Sequence, residues 1–211
     1  MKLGITIVLV IGIAEYLVPV ARAEFVTIHI TAEVDHVGDP HNFFGGAIAV
    51  GDMISGTYTY DTATPDTSAS ARIGNYGHYL APAGVDLSVG GIQFKTDPTS
   101  VDFWVGIVDD YPPVDDYGFI SYSNVALPSL AVSVGAIYWT LEDSRGSALS
   151  GDSLLGAAPS LADWDFNRLH IGGPDRGPSF GITGHVISAA VPEPGTLLLV
   201  GLGVLLLRKH K

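Results

Sequence analysis

The feature that most narrows what this chain can become is a period of two. From Phe25 to Val34 the apolar residues Val26, Ile28, Ile30, Ala32 and Val34 fall on one side, and Thr27, His29, Thr31 and Glu33 on the other. Only a half-buried strand places every second side chain in a core. The same alternation recurs in short runs, and no long segment carries the 3.6-residue period of a helix. An antiparallel all-β body follows, with the β-sandwich, jelly-roll-like, as the expected architecture.

The remaining strands are separated by turn chemistry. Ile54 to Asp61 alternates through Tyr58 and Tyr60, and the polar run Thr62 to Ser70, with Pro65 inside it, closes the segment. Val85 to Val89 and Ile92 to Phe94 flank Gly90-Gly91, and two adjacent glycines between alternating runs predict a tight hairpin. Val101 to Ile107 alternates next, and Asp109 to Asp116 turns around Pro112-Pro113, since adjacent prolines cannot sit inside a ladder. Phe119 to Tyr122, Leu130 to Leu141, Phe166 to Ile171 and Phe180 to Ile187 complete about ten expected strands. Asp35 to Gly45 is expected as a loop with Phe43 and Phe44 against the core edge, followed by a short strand from Ile48 to Val50. Ser147 to Asp163 reads as a loop with one helical turn.

Both ends depart from this pattern. Lys2, the apolar run Leu3 to Ala14 and the small residues Ala21 and Ala23 make a secretory signal peptide over residues 1–23, cut after Ala23. At the other end Pro192, Glu193 and Pro194 precede an apolar run from Thr196 to Leu207, then Arg208, Lys209, His210 and Lys211. The basic cluster is the expected membrane stop, carried by Arg208, Lys209 and Lys211. The run holds 12 residues, or about 18 Å of helix against a hydrocarbon core of about 30 Å. A temporary anchor, helped by snorkelling of Arg208 and Lys209, suits it better than a permanent span.

The order Val-Pro-Glu-Pro-Gly-Thr-Leu-Leu-Leu from Val191 onward resembles the PEP-CTERM sorting signal of Gram-negative bacteria. The stretch from Val50-Gly51-Asp52 through Thr57-Tyr58-Thr59-Tyr60-Asp61 to Pro65-Asp66 is similar to a body found in many PEP-CTERM proteins. That resemblance implies three parts: a signal peptide (1–23), a β-sandwich domain (24–190) and a sorting signal with a short hydrophobic helix (191–211). It also implies an exosortase-type membrane enzyme that cuts near the Pro-Glu-Pro. Two prolines support such recognition physically, because they hold the segment extended and stripped of amide donors.

Charge and cysteine content set limits on function. Between Glu24 and Val191 there are 20 acidic residues against five basic ones, a net charge of −15 with histidine neutral. Such a surface repels phosphate backbones, so nucleic acid is excluded as a partner, while polysaccharide and cations remain compatible. No cysteine is present, which removes disulfides, thiolate metal sites and a cysteine nucleophile. A body of about 168 residues is long enough to hold together on its core alone.

Several groups could carry chemistry. Asp109, Asp110, Asp115 and Asp116 form an acidic turn able to supply oxygens to calcium, though a solvated hairpin tip needs no ligand. Asp61 with Asp66 is a lesser version of the same pattern, with ordinary turn chemistry beside it. His36, Asp39 and His41 offer two imidazoles and a carboxylate, without an evident further ligand. Ala131-Val132-Ser133-Val134-Gly135 approximates a nucleophile elbow, which requires a strand-to-helix turn that the strand pattern denies. Trp104, Trp139 and Trp164 could stack on sugars or fill a core. The expected function is therefore that of a non-enzymatic exported protein, sorted through its tail by way of the inner membrane to the cell surface or extracellular matrix. A structural or adhesive role in exopolysaccharide or biofilm is the first reading, and a carbohydrate-binding module, calcium-assisted or not, is the alternative. A hydrolase ranks last, and no resident cofactor is expected.

Overall fold

A computed structural model describes residues 24–192 apart from positions 112 and 131. Within it lie ten strands: β1 (Phe25–Gly38), β2 (Met53–Asp61), β3 (Ile73–His78), β4 (Gly84–Val89), β5 (Ile92–Lys95), β6 (Phe103–Val108), β7 (Asp115–Ser121), β8 (Ile137–Asp143), β9 (Phe166–Gly172) and β10 (Gly181–Ala190). All pair antiparallel in one sheet ordered β3-β6-β7-β8-β9-β10-β1-β2-β4-β5. The only described helical segments are two single 3-10 turns, Pro128–Leu130 and Leu161–Asp163.

The all-β, antiparallel expectation is met, but the two separate sheets of a sandwich are not what the chain builds. One sheet curls until its halves face each other. Strand twist accumulates over ten strands and makes a flat sheet of this width unfavourable. The bend is helped by β1, whose ladder with β10 is irregular between Thr31 and Ala32 and between Val34 and His36, because bulges raise local twist. Tyr58 on β2 and Tyr117 on β7, five positions apart in strand order, meet hydroxyl to hydroxyl at 3.0 Å. The Tyr58 ring also lies 4.8 Å from Phe119 and 5.9 Å from Trp139.

Inward residues of every strand fill the space between the halves. Trp139, Tyr58, Tyr60, Tyr117, Phe94 and Phe103 are its largest fully buried side chains. Leu149, Leu154, Leu155, Leu161 and Trp164, from the long loop after β8, pack over the core. The Tyr60 hydroxyl donates to the Leu155 carbonyl, and the Tyr76 hydroxyl to that of Asp152 at 2.7 Å. On another side the free edge of β5 is tied to the segment after β7. Val125 N–H donates to Lys95 O, Asp97 N–H donates to Ser123 O, and the Thr96 and Ser121 hydroxyls meet at 2.8 Å. Every buried polar side-chain atom among the described residues has a partner, as a buried network requires.

Local departures from expectation have local causes. The Gly90-Gly91 hairpin is present, with φ of +58° and +76°, and Phe44 is buried at the core edge as expected. Strand β1 runs on to Gly38, so His36 lies in a ladder rather than in the loop. Ile48 to Val50 is turn, held by the Asp52 carboxylate accepting from Ala49 N–H at 2.8 Å. The expected strand from Leu130 begins only at Ile137. Ahead of it come the 3-10 turn at Pro128–Leu130 and the bridge Leu127–Val132. Gly135 N–H donates to the Gly172 carbonyl at 2.8 Å and Gly172 N–H to that of Ala136 at 2.9 Å, so this stretch touches the end of β9 just before β8 begins.

Candidate functional site

The four acidic side chains of the expected calcium turn do not converge. Asp115 begins β7 facing inward and is fully buried. Its carboxylate accepts from Asp110 N–H at 2.9 Å and from Leu149 N–H at 2.8 Å, tying the turn to the long loop after β8. Asp116, one residue on, faces the outside of the sheet beside Glu142, its cross-strand partner. Partial burial, with Glu142 adding repulsion, pushes its carboxyl up to about 6. Asp110 is exposed at φ +52°, and its carbonyl accepts from the Arg72 guanidinium at 2.6 Å. Asp109 is half-buried, and its carboxyl is raised first by desolvation and then by Asp115 and Asp110. Alternation along β7 separates residues that are adjacent in sequence. Among the described residues no three of His, Asp or Glu are grouped so as to hold a metal ion.

The other candidates dissolve into structure in the same way. The Asp39 carboxylate accepts from Phe43 N–H and Phe44 N–H, each at 2.8 Å, and so fixes the turn that delivers Phe44 to the core. Asp61 accepts from Glu24 N–H and Ala63 N–H, and Asp66 from Ser68 N–H and Asn75 N–H. Buried Asp143, held well below the usual carboxylate range by its bonds from Ser147 and Arg145, closes the turn after β8. Ser133 is exposed in irregular chain with no helix after it. The three tryptophans do not share a face. Trp139 is core, Trp164 packs inward near Tyr117, and Trp104 stands on the outer surface.

That outer surface holds a feature legible only from register. Three cross-strand rows lie side by side on the outward face of β3, β6, β7, β8 and β9. The first runs Gly77, Trp104, Ile120, Tyr138, His170; the second Asn75, Gly106, Gly118, Thr140, Arg168; the third Ile73, Val108, Asp116, Glu142, Phe166. The paired glycines Gly106 and Gly118 leave a trough between an aromatic wall and an acidic one. Five strands at about 4.8 Å spacing make it roughly 19 Å long. Tyr79 meets Trp104 edge to face at 5.7 Å, and the Trp104 indole N–H donates to Asp102 at 2.8 Å, which fixes the ring. Tyr138 lies 4.9 Å from the His170 ring. Burial first and Arg168 second push the His170 imidazole below its usual range, favouring its neutral form. The two glycines differ. A Cβ at Gly118 would stand 2.3 Å from the Trp139 carbonyl oxygen, whereas one at Gly106 would meet nothing within 4 Å.

Both chain ends leave the body from one end of two neighbouring strands. Glu24 precedes β1, Ala190 ends β10, and Ala190 pairs with His29 on β1. Val191 and Pro192 follow as exposed chain. Pro192 has no N–H to give a ladder, which accounts for where β10 stops. The remaining sequence-derived residues of both signals, Ala21, Ala23, Glu193, Pro194, Arg208, Lys209 and Lys211, lie outside the described residues, as does the expected C-terminal helix. No described helix is long and apolar enough to cross a membrane.

Fold and tail together define a β-structured body joined, without a linker, to a sorting signal. Residues 190–209 match the family model described as the PEP-CTERM protein-sorting motif, so the chain carries that motif at its C-terminal end. The motif supports export and membrane-associated sorting to the cell envelope, with processing by an exosortase-type enzyme. No curated protein and no solved structure matches the chain.

Proposed function

We propose that the body is a non-catalytic surface or matrix domain. The tail holds it at the inner membrane until processing, and it then adheres to neutral polysaccharide through the outer trough. The observation that carries this reading is the row of Trp104, Ile120 and Tyr138 facing Asp116 and Glu142 across two glycines. Sugar rings present apolar faces that stack on aromatics and hydroxyls that donate to carboxylates, and the trough offers both along one line. A net charge of −15 disfavours acidic polymers. The non-enzymatic part is supported by how the acids are used: Asp39, Asp61, Asp66, Asp115 and Asp143 spend their oxygens on backbone N–H groups. The divergence of Asp115 and Asp116 favours binding that does not depend on calcium.

Titration of the body against neutral soluble glycans tests the reading. Gly106→Val should fill the trough at no steric cost to the fold and weaken binding at least about tenfold, or about 1.4 kcal/mol. Trp104→Ala should do the same, and chelating calcium should change nothing. A wild-type body that binds no neutral glycan, or a Gly106→Val body that binds equally well, would refute the trough as the contact surface.

A further inference from the structure

A second exposed surface lies where the chain enters and leaves. Tyr79, Leu80, Ala81 and Pro82 form an exposed tip between β3 and β4, with Leu80 80 % and Tyr79 58 % accessible. The tip is anchored, since Ala83 N–H donates to Leu80 O and Ala83 and Val85 are buried beneath it. Phe25, the first residue of β1 and 45 % exposed, lines one groove with Tyr79, Leu80, Ala63 and Pro65. From Ile73 to Val85 there is no Asp, Glu, Lys or Arg. A contiguous exposed apolar patch of this kind marks an interaction surface.

We propose that this patch, Phe25 with Tyr79 and Leu80, rests in the interface of the lipid bilayer that holds the tail before processing. The proposal rests on the sorting reading above, in which the tail is lipid-held. Position supports it. Phe25 lies four residues beyond the β10 partner His29, about 14 Å along β1. From Ala190 to Thr196, the start of the apolar run, six Cα steps span at most about 22 Å. The membrane segment can therefore begin no farther from the sheet than a short extension past the patch, and the body is held with this end toward lipid. Tyrosine and phenylalanine suit that depth, where one part of a side chain is wet and the other is not. The charges around it are Glu24 and Asp61 on the Phe25 side, Asp102 beside Tyr79, and Asp86 with Lys95 beside Ala81 and Pro82, four acids among them outnumbering one lysine; Asp61 already accepts from Glu24 N–H and Ala63 N–H. A zwitterionic lipid surface is the fitting partner, because acids at the rim repel an anionic one.

The absence of cysteine makes the test direct. The full chain, tail included, is reconstituted in phosphatidylcholine vesicles as the single variants Leu80→Cys, Phe25→Cys and Val50→Cys, each carrying a fluorophore. Val50 is 66 % exposed in the turn before β2, at the other end of that strand from Asp61. The expected result is several-fold protection from a water-soluble quencher at positions 25 and 80, with quenching by a lipid-borne quencher, and neither effect at position 50. Equal aqueous access at 80 and 50 in a chain that floats with the vesicles would overturn the proposal and leave the tail reading intact. A chain that does not float would overturn both. Protection that rises with protein density rather than with lipid would assign the patch to a second copy and overturn it as well.

Discussion

Replacing Asp115 tests how this body is held together and whether its acidic turn is a metal site. The carboxylate is fully buried and accepts two backbone N–H groups, from Asp110 at 2.9 Å and from Leu149 at 2.8 Å. A hydrogen bond to a charged group contributes about 1.5–3 kcal/mol, and each N–H left unpaired in the interior costs about as much as the bond did. Asp115→Ala also relieves the burial of a charge, which offsets part of that loss. The net destabilisation should be about 3 kcal/mol, or roughly 6–12 °C in Tm for a body of this size. Asp115→Asn should cost nearly as much, because its amide would point a donor at a donor. Thermal unfolding followed by circular dichroism, in chelator and again in millimolar calcium, provides the assay. Both variants should lose the stated stability in chelator, and calcium should leave the wild-type midpoint unmoved. A loss below about 1 kcal/mol in chelator, or a calcium-dependent rise that only the wild type shows, would refute the assignment of Asp115 as a loop tie.

Two further measurements address the core and the outer face. Tyr58→Phe and Tyr117→Phe should each cost about 1 kcal/mol by leaving the partner hydroxyl short of a bond, and the double variant should cost less than the sum; additivity in the cycle would mean the 3.0 Å contact carries no coupling. Because the Asp116 carboxyl is raised to about 6 in the folded state from about 3.9 unfolded, the folded protein binds the extra proton between those values, so its contribution to stability falls as pH rises through that window. Asp116→Asn, which cannot ionise, should therefore gain on the wild type from pH 4 to pH 7 in Tm; a gap that does not change with pH would contradict the raised carboxyl.

Most strands were legible because the pattern that reports them is local; β3, whose inward face is Gly74, Tyr76 and His78 rather than an apolar row, was not. Val26 to Val34 and Val101 to Ile107 alternate on their own, and Gly90-Gly91 announces a turn without help from the rest of the chain. How the strands are ordered was not legible, because it depends on β10 pairing with β1 across 150 residues of sequence, as His185 with Asp35 shows. The acidic turn shows a related limit. Spacing alone treats Asp115 and Asp116 as neighbours, while a strand sends one inward and the other outward. The trough was readable in principle. Phe103-Trp104-Val105-Gly106 and Tyr117-Gly118-Phe119-Ile120 each place glycine two residues from a large outward side chain, and setting the two runs antiparallel brings the glycines together. What the single sequence lacked was the register that makes them partners.

The boundary between body and tail yields the last test. Strand β10 is paired on both sides only from Gly181 to Gly184, and beyond that its backbone meets β1 alone. The Asn167 side chain takes over from β9, donating to Val186 O at 2.7 Å and accepting from Val186 N–H at 3.2 Å. Val186 is the last buried residue of the strand, and Ile187, Ser188 and Ala190 are exposed. The energetic end of the body thus falls at Val186 and its geometric end at Ala190, before the first proline of the motif. A chain covering residues 24–191 should melt within about 1–2 °C of one that retains the tail, since it gives up only exposed surface. A chain ending at Thr183 should not fold, because removing Val186 strips a buried side chain and unpairs both Asn167 and the middle of β1. Were the 24–191 body to unfold, the apolar run from Thr196 to Leu207 would belong to the globule's own core, and a sorting segment that must be cut away could not also be what holds the protein together.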